Sequence, residues 1–435
     1  MEKKVYDLIN ETLYTEVLPN GLKVNLLPKE GFHKTYALFT TDYGSIDEEF
    51  KPLGQTEFVK VPDGIAHFLE HKMFEKEDGD VFQLFGKQGA SANAFTSFTK
   101  TSYLFSSTDH IEQNLKTLLD FVQAPYFTEE TVEKEKGIIG QEIQMYDDDP
   151  NWRTFFGLLQ AMYPKHPLHI DIAGTVASIA EITAEDLYLC YNTFYHPSNM
   201  NLFVVGKMDP HEMMRLIREN QASKDFEAMP AIERKFPVET SEDLVKESTI
   251  HLDVTRPKAF IGIKGVDALP TDGYELLRYR TAASLLFQML VGTTSDNYLT
   301  MYNEELIDDS FSFEFNLDRG FYFADFGGDT DQPQELVARL KTILLTAQAS
   351  PELTEERLML LKKRLMGNYL QSLNSLEYIA NQFSKDHFGE ATLFDMMEVI
   401  DSITLADIYQ IAAQFIKEEA MVTLYVEPKT EAITE

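Results

Sequence analysis

Residues 64–75 read GIAHFLEHKMFE and contain His67-Phe68-Leu69-Glu70-His71. On a helix, His67 and His71 fall at i and i+4, one above the other on a single face. Two neutral imidazoles arranged in this way can grip one zinc ion, which takes nitrogen and oxygen donors in a tetrahedron. Glu70 precedes the second histidine by one residue, so it projects beside the metal and need not bind it. From there it can take a proton from a water whose pKa the metal has lowered to about 7. The order His-x-x-Glu-His is the reverse of the thermolysin order. A helical histidine is often an ordinary core or surface residue, so the weight of this reading comes from the rest of the chain.

A chain of 435 residues is too long for one core, and two to four domains are expected. A hydrophobic fraction of 44% with 12% aromatics is ample for folded domains. The net charge of −33 argues against nucleic acid, whose phosphates it would repel, and against anionic lipid. It is compatible with steering basic peptides toward a cleft, and equally with a solvated acidic surface. The single cysteine, Cys190 in LYLCYN, excludes an internal disulfide framework and reads as a core residue. Its solitude fits a reducing cytoplasm. The N-terminal MEKKVYDLINETLY has charge but no following apolar run, which does not read as a signal peptide. No stretch reaches the roughly 20 apolar residues of a membrane span. These features together predict a soluble, cytoplasmic protein.

Working outward from the motif, YTEVLPNGLKVNLLPK (14–29) reads as a hairpin turning at Pro19-Asn20-Gly21, and YALFTTDYGSID (36–47) as a third strand. VPDG (61–64) opens the motif helix with Asp63 as the expected N-cap. A helix over 79–89 follows, and the alternating, β-branched and aromatic run 90–108 is predicted as one strand. Helical patterns cover 109–125 and 126–150. The second carries Glu135 and Glu142 seven residues apart, two turns and hence nearly one face. Helices around 151–163 and 182–195, a buried strand 199–206 and a helix 209–220 complete the first part. Residues 221–246 are polar and aperiodic with two prolines, which suits a linker between an N-terminal domain of 1–220 and a C-terminal domain of 247–435.

The C-terminal domain repeats the first. FTEETVEKEK (127–136) is similar to LTEERLMLLK (353–362), and IAEITAEDLY (179–188) to IDSITLADIY (400–409), at offsets of 226 and 221 residues. The strand NLFVVG (201–206) has a counterpart in VTLYVEP (422–428). Such offsets mark a two-unit duplication. The second copy has TAASLLFQML where the first has its histidine motif, and Asn368 where the first has Glu142. One half keeps the metal-binding residue types and the other keeps only the fold, which favours function for the first set.

With these motifs in hand, the chain resembles the insulinase/pitrilysin family of inverzincin peptidases, which includes the mitochondrial processing peptidases. The resemblance spans nearly the whole chain, through LPNGLKV, GIAHFLEHKMF, ASANAFTSF and VEKEKGIIGQEI. It is closest to the zinc-bearing member of the paired insulinase-like peptidases of Gram-positive bacteria. It implies an α+β fold of two homologous half-domains, each an antiparallel-rich sheet packed with helices, forming one half of a clamshell chamber. It further implies Zn2+ held by His67, His71 and Glu142, with Glu70 as the general base that also protonates the leaving amine. Glu135 would support the site from behind the ligands, although an ordinary solvated charge would also suit it. Asn93, Ala94 and Phe95 match the substrate strand, where a peptide adds as an extra strand to a sheet edge. A plain sheet edge, with Phe95 in the core, is the alternative there.

One departure stands out. Active members of the family carry, in the second half, an arginine and a tyrosine seven residues later that bind substrate and stabilise the tetrahedral intermediate. In LTMYNEELIDDSFSF (299–313) the matching positions are Tyr302 and Asp309, and Arg319 lies further on without that spacing. Losing such a donor commonly costs about 100- to 1000-fold in rate. The expectation is therefore a zinc endopeptidase for unfolded peptides, acting as a heterodimer with a related chain that supplies the arginine and tyrosine, or as a homodimer. The alternative is a structural or binding subunit that hydrolyses nothing. His166, His169 and His196 fall in loops and read as structural or surface residues.

Overall fold

The computed structural model describes residues 1–385 and 389–429, which form two compact units. The first takes in Met1–Gln144, Ile170–Phe236 and the described residues of 372–386. The second takes in Met145–His169, Pro237–Gln371 and the described residues of 387–435. The division is thus more than one cut in the chain, because each unit includes a segment lying between stretches of the other.

The first unit opens with β1 (Glu2–Tyr6), β2 (Glu11–Val17), β3 (Lys23–Pro28) and β4 (Thr35–Thr41), then a two-residue pair, β5 (Glu49–Phe50) and β6 (Val59–Lys60). Helix α1 (Ile65–Met73), a second small pair β7 (Glu75–Lys76) and β8 (Gly79–Asp80), α2 (Val81–Lys87), β9 (Ser91–Thr96) and β10 (Thr101–Ser107) follow. Next come α3 (Ile111–Val122), α4 (Glu129–Asp147) and α5 (Pro150–Met162), of which α5 belongs to the second unit. After α6 (Val176–Ala180) and α7 (Ala184–Phe194), β11 (Met200–Gly206) and α8 (Pro210–Ala222) close the contiguous part.

The long strands form one sheet in the order β1-β2-β3-β11-β4-β10-β9. The β2–β3 hairpin turns through Gly21 at φ +90°, a conformation glycine adopts without strain. All seven residues of β4 are buried, so this central strand is apolar on both faces. A polar ladder still crosses the sheet, for Asn25 donates to Asn201 at 2.7 Å and accepts from Thr15 at 2.9 Å.

Two expectations from sequence differ from the structure. The run 90–108 is a hairpin and not one strand, because β9 and β10 pair antiparallel across a turn at 97–100. That turn, Ser-Phe-Thr-Lys, contains neither glycine nor proline, so the alternation runs straight through it. The second difference is the start of α1. Gly64 occupies the N-cap with φ +87° and no side-chain cap bond, in place of Asp63. Strand β1, in MEKKVY, was not visible as alternation because only Tyr6 of it is buried.

The second unit comprises α5, β12 (Glu247–Leu252), β13 (Lys258–Lys264), α9 (Gly273–Val291), α10 (Asp296–Asn303), β14 (Ser312–Asp318), β15 (Phe321–Asp329), α11 (Pro333–Leu345) and α12 (Glu355–Ser372). Helix α13 (Leu376–Lys385) returns to the first unit, where Phe383 stacks on Phe203 at 4.4 Å. Then α14 (Met396–Ser402), α15 (Leu405–Phe415) and β16 (Met421–Pro428) complete the second sheet, ordered β12-β16-β13-β15-β14. That is the order β3-β11-β4-β10-β9 of the first sheet with each strand replaced by its counterpart, and the parallel pair falls at the same place in both. The second core packs α9 residues such as Leu286 and Leu290 against Ile261, Ala324 and Phe326 of the sheet.

Residues 223–246 hold no helix or strand. Arg234 in this stretch ion-pairs with buried Asp47 at 2.9 Å in the first unit, and Glu239 pairs with buried Lys264 in the second. No described helix is long and apolar enough to cross a membrane.

Candidate metal centre

The entry of α1 fixes everything downstream of it. Gly64 packs so tightly that a Cβ there would sit 2.4 Å from the Ala173 carbonyl oxygen. Gly174 faces it in the same way, 2.5 Å from the Asp63 carbonyl oxygen, and Ser178 donates its hydroxyl to that carbonyl at 2.9 Å. The helix is thereby locked against the 173–178 segment, and all but His71 of its nine residues are buried.

On α1 the two histidine rings lie with centroids 4.6 Å apart. Helix α4 brings Glu142 opposite them: His67 Nε2 is 3.6 Å from its Oε1 and His71 Nε2 is 3.5 Å from its Oε2. Donors about 2.0–2.2 Å from a tetrahedral zinc stand roughly 3.3–3.6 Å from one another. Each imidazole nitrogen thus lies at such a distance from one of the two Glu142 oxygens, and one ligand atom from each of the three side chains lies within 4.8 Å of the others, a set of two nitrogens and one carboxylate that could hold a zinc ion. Glu135, two turns earlier on α4, contacts His71 Nδ1 at 3.1 Å. A proton on Nδ1 directed at this carboxylate leaves the Nε2 lone pair facing Glu142, the tautomer a metal ligand requires. His67 Nδ1 is buried with no hydrogen-bond partner among the described residues.

Glu70 lies beside this triad and is only 8% exposed. Burial raises its carboxyl above the usual range, against the opposing influence of His67, the hydrogen bond from Thr96 and His71. That bond, Thr96 Oγ1 to Glu70 Oε2, measures 2.7 Å. Burial disfavours the charged form of His71, yet Glu135, Glu70 and Glu142 outweigh it and raise its pKa. A carboxyl tuned upward beside paired imidazoles is the arrangement expected of a group that both takes and returns a proton.

The site opens into a cavity of about 680 Å³ lined by Glu70, His71, Phe74, Phe82, Asn93 and Ala94 among others. Phe74 and Phe82 stack at 4.0 Å and form an aromatic wall. Strand β9 is the last in its sheet, so its outer edge has no strand partner among the described residues. Asn93 is exposed there and its side chain accepts the Ala94 N–H at 2.9 Å. Ala94 is half-buried, and so is Phe95, whose ring has the Lys100 ammonium 5.8 Å from its centroid. Sequence reasoning missed Thr96, although it follows the substrate-strand residues directly and alternation puts it on the face of Ala94.

The other residues singled out lie elsewhere. Cys190 is fully buried, and burial pushes its thiol up to about 12, which leaves it inert as a nucleophile. His166 and His169 bind each other's turn, His169 Nδ1 lying 2.7 Å from the His166 carbonyl. His196 contacts Ser198 and the Glu227 carbonyl, both at 2.8 Å. In the second unit, Tyr302 is exposed on α10 and stacks on Tyr298, and Asp309 follows in the next loop.

Residues 59–176 match the family model described as Insulinase (Peptidase family M16), and residues 181–365 match the model described as Peptidase M16 inactive domain. The chain is 52% identical to the uncharacterized zinc protease YmfH of Bacillus subtilis, over 98% of this chain and 99% of that protein. It is 29% identical to the zinc protease AlbF of the same species, over 49% of this chain and 50% of that one. Among solved structures, an M16-like peptidase from Alicyclobacillus acidocaldarius superposes with a TM-score of 0.91 at 40% identity, covering 96% of this chain and 99% of the other. A protease from Helicobacter pylori shares the fold, with a TM-score of 0.79 at 20% identity, covering 96% and 99% of the two chains.

Proposed function

The chain belongs to the insulinase family of peptidases (family M16), and from that premise we propose that it is a zinc-dependent endopeptidase for unfolded peptides. The observation that carries the reading is the convergence of His67 Nε2, His71 Nε2 and Glu142 beside a buried Glu70, at the mouth of a cavity bordered by a free sheet edge. His67, His71 and Glu142 would hold the metal. A zinc ion there would supply Lewis acidity toward the scissile carbonyl and lower the pKa of a water to about 7.

The remaining work falls to the chain's own groups. The exposed edge of β9, through Asn93, Ala94 and Phe95, pairs with the main chain of an extended peptide and sets which bond lies beside Glu70. Glu70 accepts the proton of the attacking water and returns it to the leaving amine. Glu135 keeps His71 in the tautomer and orientation required. The peptide side chain next to the cleaved bond enters the cavity walled by Phe74 and Phe82. The single buried thiol suits a reducing compartment, and we place the protein in the cytoplasm.

The stretch 299–313 has no arginine, and Tyr302 and Asp309 cannot replace a cationic stabiliser of developing negative charge. We therefore assign that role to a related partner chain carrying an arginine and tyrosine, in a heterodimer that encloses the substrate. The same absence favours a second reading, a non-catalytic subunit, against which stands Glu70 placed beside the triad.

Peptide cleavage followed by mass spectrometry separates the two. The zinc-loaded chain and its Glu70→Gln variant are compared alone and with the arginine- and tyrosine-bearing relative. Cleavage that needs both the relative and Glu70 supports the split site, and cleavage by the chain alone removes the need for a hetero-partner. Silence of every combination supports the non-catalytic subunit.

A further inference from the structure

We propose that Thr96 is a positioning residue for hydrolysis: its hydroxyl, at the end of β9, holds the Glu70 carboxylate toward the attacking water and ties the base to the edge strand. The inference rests on the reading of Glu70 as general base.

A nearly buried carboxylate needs hydrogen-bond partners, and Thr96 Oγ1 supplies one to Oε2 at 2.7 Å. The direction of this bond follows from the neighbours. Thr96 stands opposite Thr101 in the β9–β10 register, and their hydroxyl oxygens are 3.4 Å apart. Thr101 donates its one proton to the Tyr43 carbonyl at 2.9 Å. It has none left for Thr96, whose own proton goes to Glu70 Oε2 at 2.7 Å, a nearer and more basic acceptor than the Thr101 hydroxyl at 3.4 Å. One carboxylate oxygen is fixed in this way and the other stays available for water. Thr96 is β-branched, so its χ1 is stiff and the donor cannot wander.

The bond also joins two functions on one strand. Asn93, Ala94 and Phe95 present the edge on which a peptide would pair, and Thr96 is the next residue. A shift of β9 as a peptide seats would be passed to Glu70 through a single side chain.

The test uses the full zinc-loaded chain, with its partner where activity requires one, and the variants Thr96→Val and Thr96→Ser. Valine keeps the shape and strand preference of threonine and removes only the hydroxyl. Losing a hydrogen bond to a charged group predicts a fall in kcat of roughly 10- to 100-fold for Thr96→Val, with KM and zinc content near wild type. Thr96→Ser should restore most of the rate. A valine variant with wild-type kcat, a loss confined to KM, or a loss that serine does not repair would overturn the proposal. Crystal structures decide it independently of hydrolysis. If no combination cleaves peptides, the reading of Glu70 as base has failed, while a Glu70 carboxylate unmoved in Thr96→Val overturns the positioning role itself. A carboxylate that turns away in the valine variant and returns with serine supports it.

Discussion

The two glutamates on α4 differ in what they touch, and that difference predicts separable effects. Glu142 faces both imidazole Nε2 atoms, whereas Glu135 touches the far nitrogen of His71. Glu142→Gln removes an anionic donor and should abolish tight zinc binding, as should His67→Ala. Glu135→Gln leaves the donor set intact and loosens one ring, so zinc affinity should fall by about 10- to 100-fold. Competition with a chromophoric chelator measures both, and equal losses would show that Glu135 acts as a ligand in its own right. The histidine pair was legible from its i, i+4 spacing, whereas Glu142 rested on the family resemblance, because seven residues along one helix face do not say which of two glutamates meets the pair. Thr96 was not legible, because its role depends on a contact between a strand end and a helix 26 residues apart.

The elements that present the site are held by features with weak signatures. Asp63 looked like a helix cap, yet the chain enters α1 through Gly64 in the left-handed region because the 173–174 turn leaves no room for a side chain. The turn at 97–100 was hidden for a related reason, for no glycine or proline breaks the pattern. Gly64→Ala should cost at least ~1–2 kcal/mol from its backbone conformation alone. The clash with the Ala173 carbonyl adds to this, and thermal denaturation of the variant measures the sum. Just upstream, buried Glu48 accepts Val61 N–H at its carbonyl, and its carboxyl is pushed up to about 8 by burial and by Asp63, against Lys60 3.4 Å away. Between an ordinary value of 4.5 and about 8, the unfolded chain releases this proton while the folded one keeps it. Stability therefore falls as pH rises through that window and levels off above it. Glu48→Gln removes the dependence, so its melting temperature should gain on wild type steadily between those values. A constant difference across the range would show that Glu48 does not titrate there.

At the scale of the whole chain, duplication followed by divergence is written in two sheets of matching order. The first alone carries His67, His71 and Glu142, while the corresponding segment of the second is TAASLLFQML within α9, with Asn368 on α12. Most of those α9 residues fill a core, and the segment has no histidine, cysteine, aspartate or glutamate with which to hold zinc. One zinc per chain is therefore expected by native mass spectrometry, and none in the Glu142→Gln variant. Because a ligand bound only to the native state stabilises whatever it cross-links, its benefit should be confined to the unit that holds it. The ion would join α1 to α4, helices from distant parts of the sequence whose mutual hold in the metal-free chain includes the His71–Glu135 pair. Chelation should then speed hydrogen exchange in α1 and α4 while leaving α9 and α12 at their zinc-loaded rates. Equal loosening of both pairs would mean that the two units unfold as one cooperative body. Unchanged exchange in α1 and α4 would mean that the triad is assembled before any metal arrives.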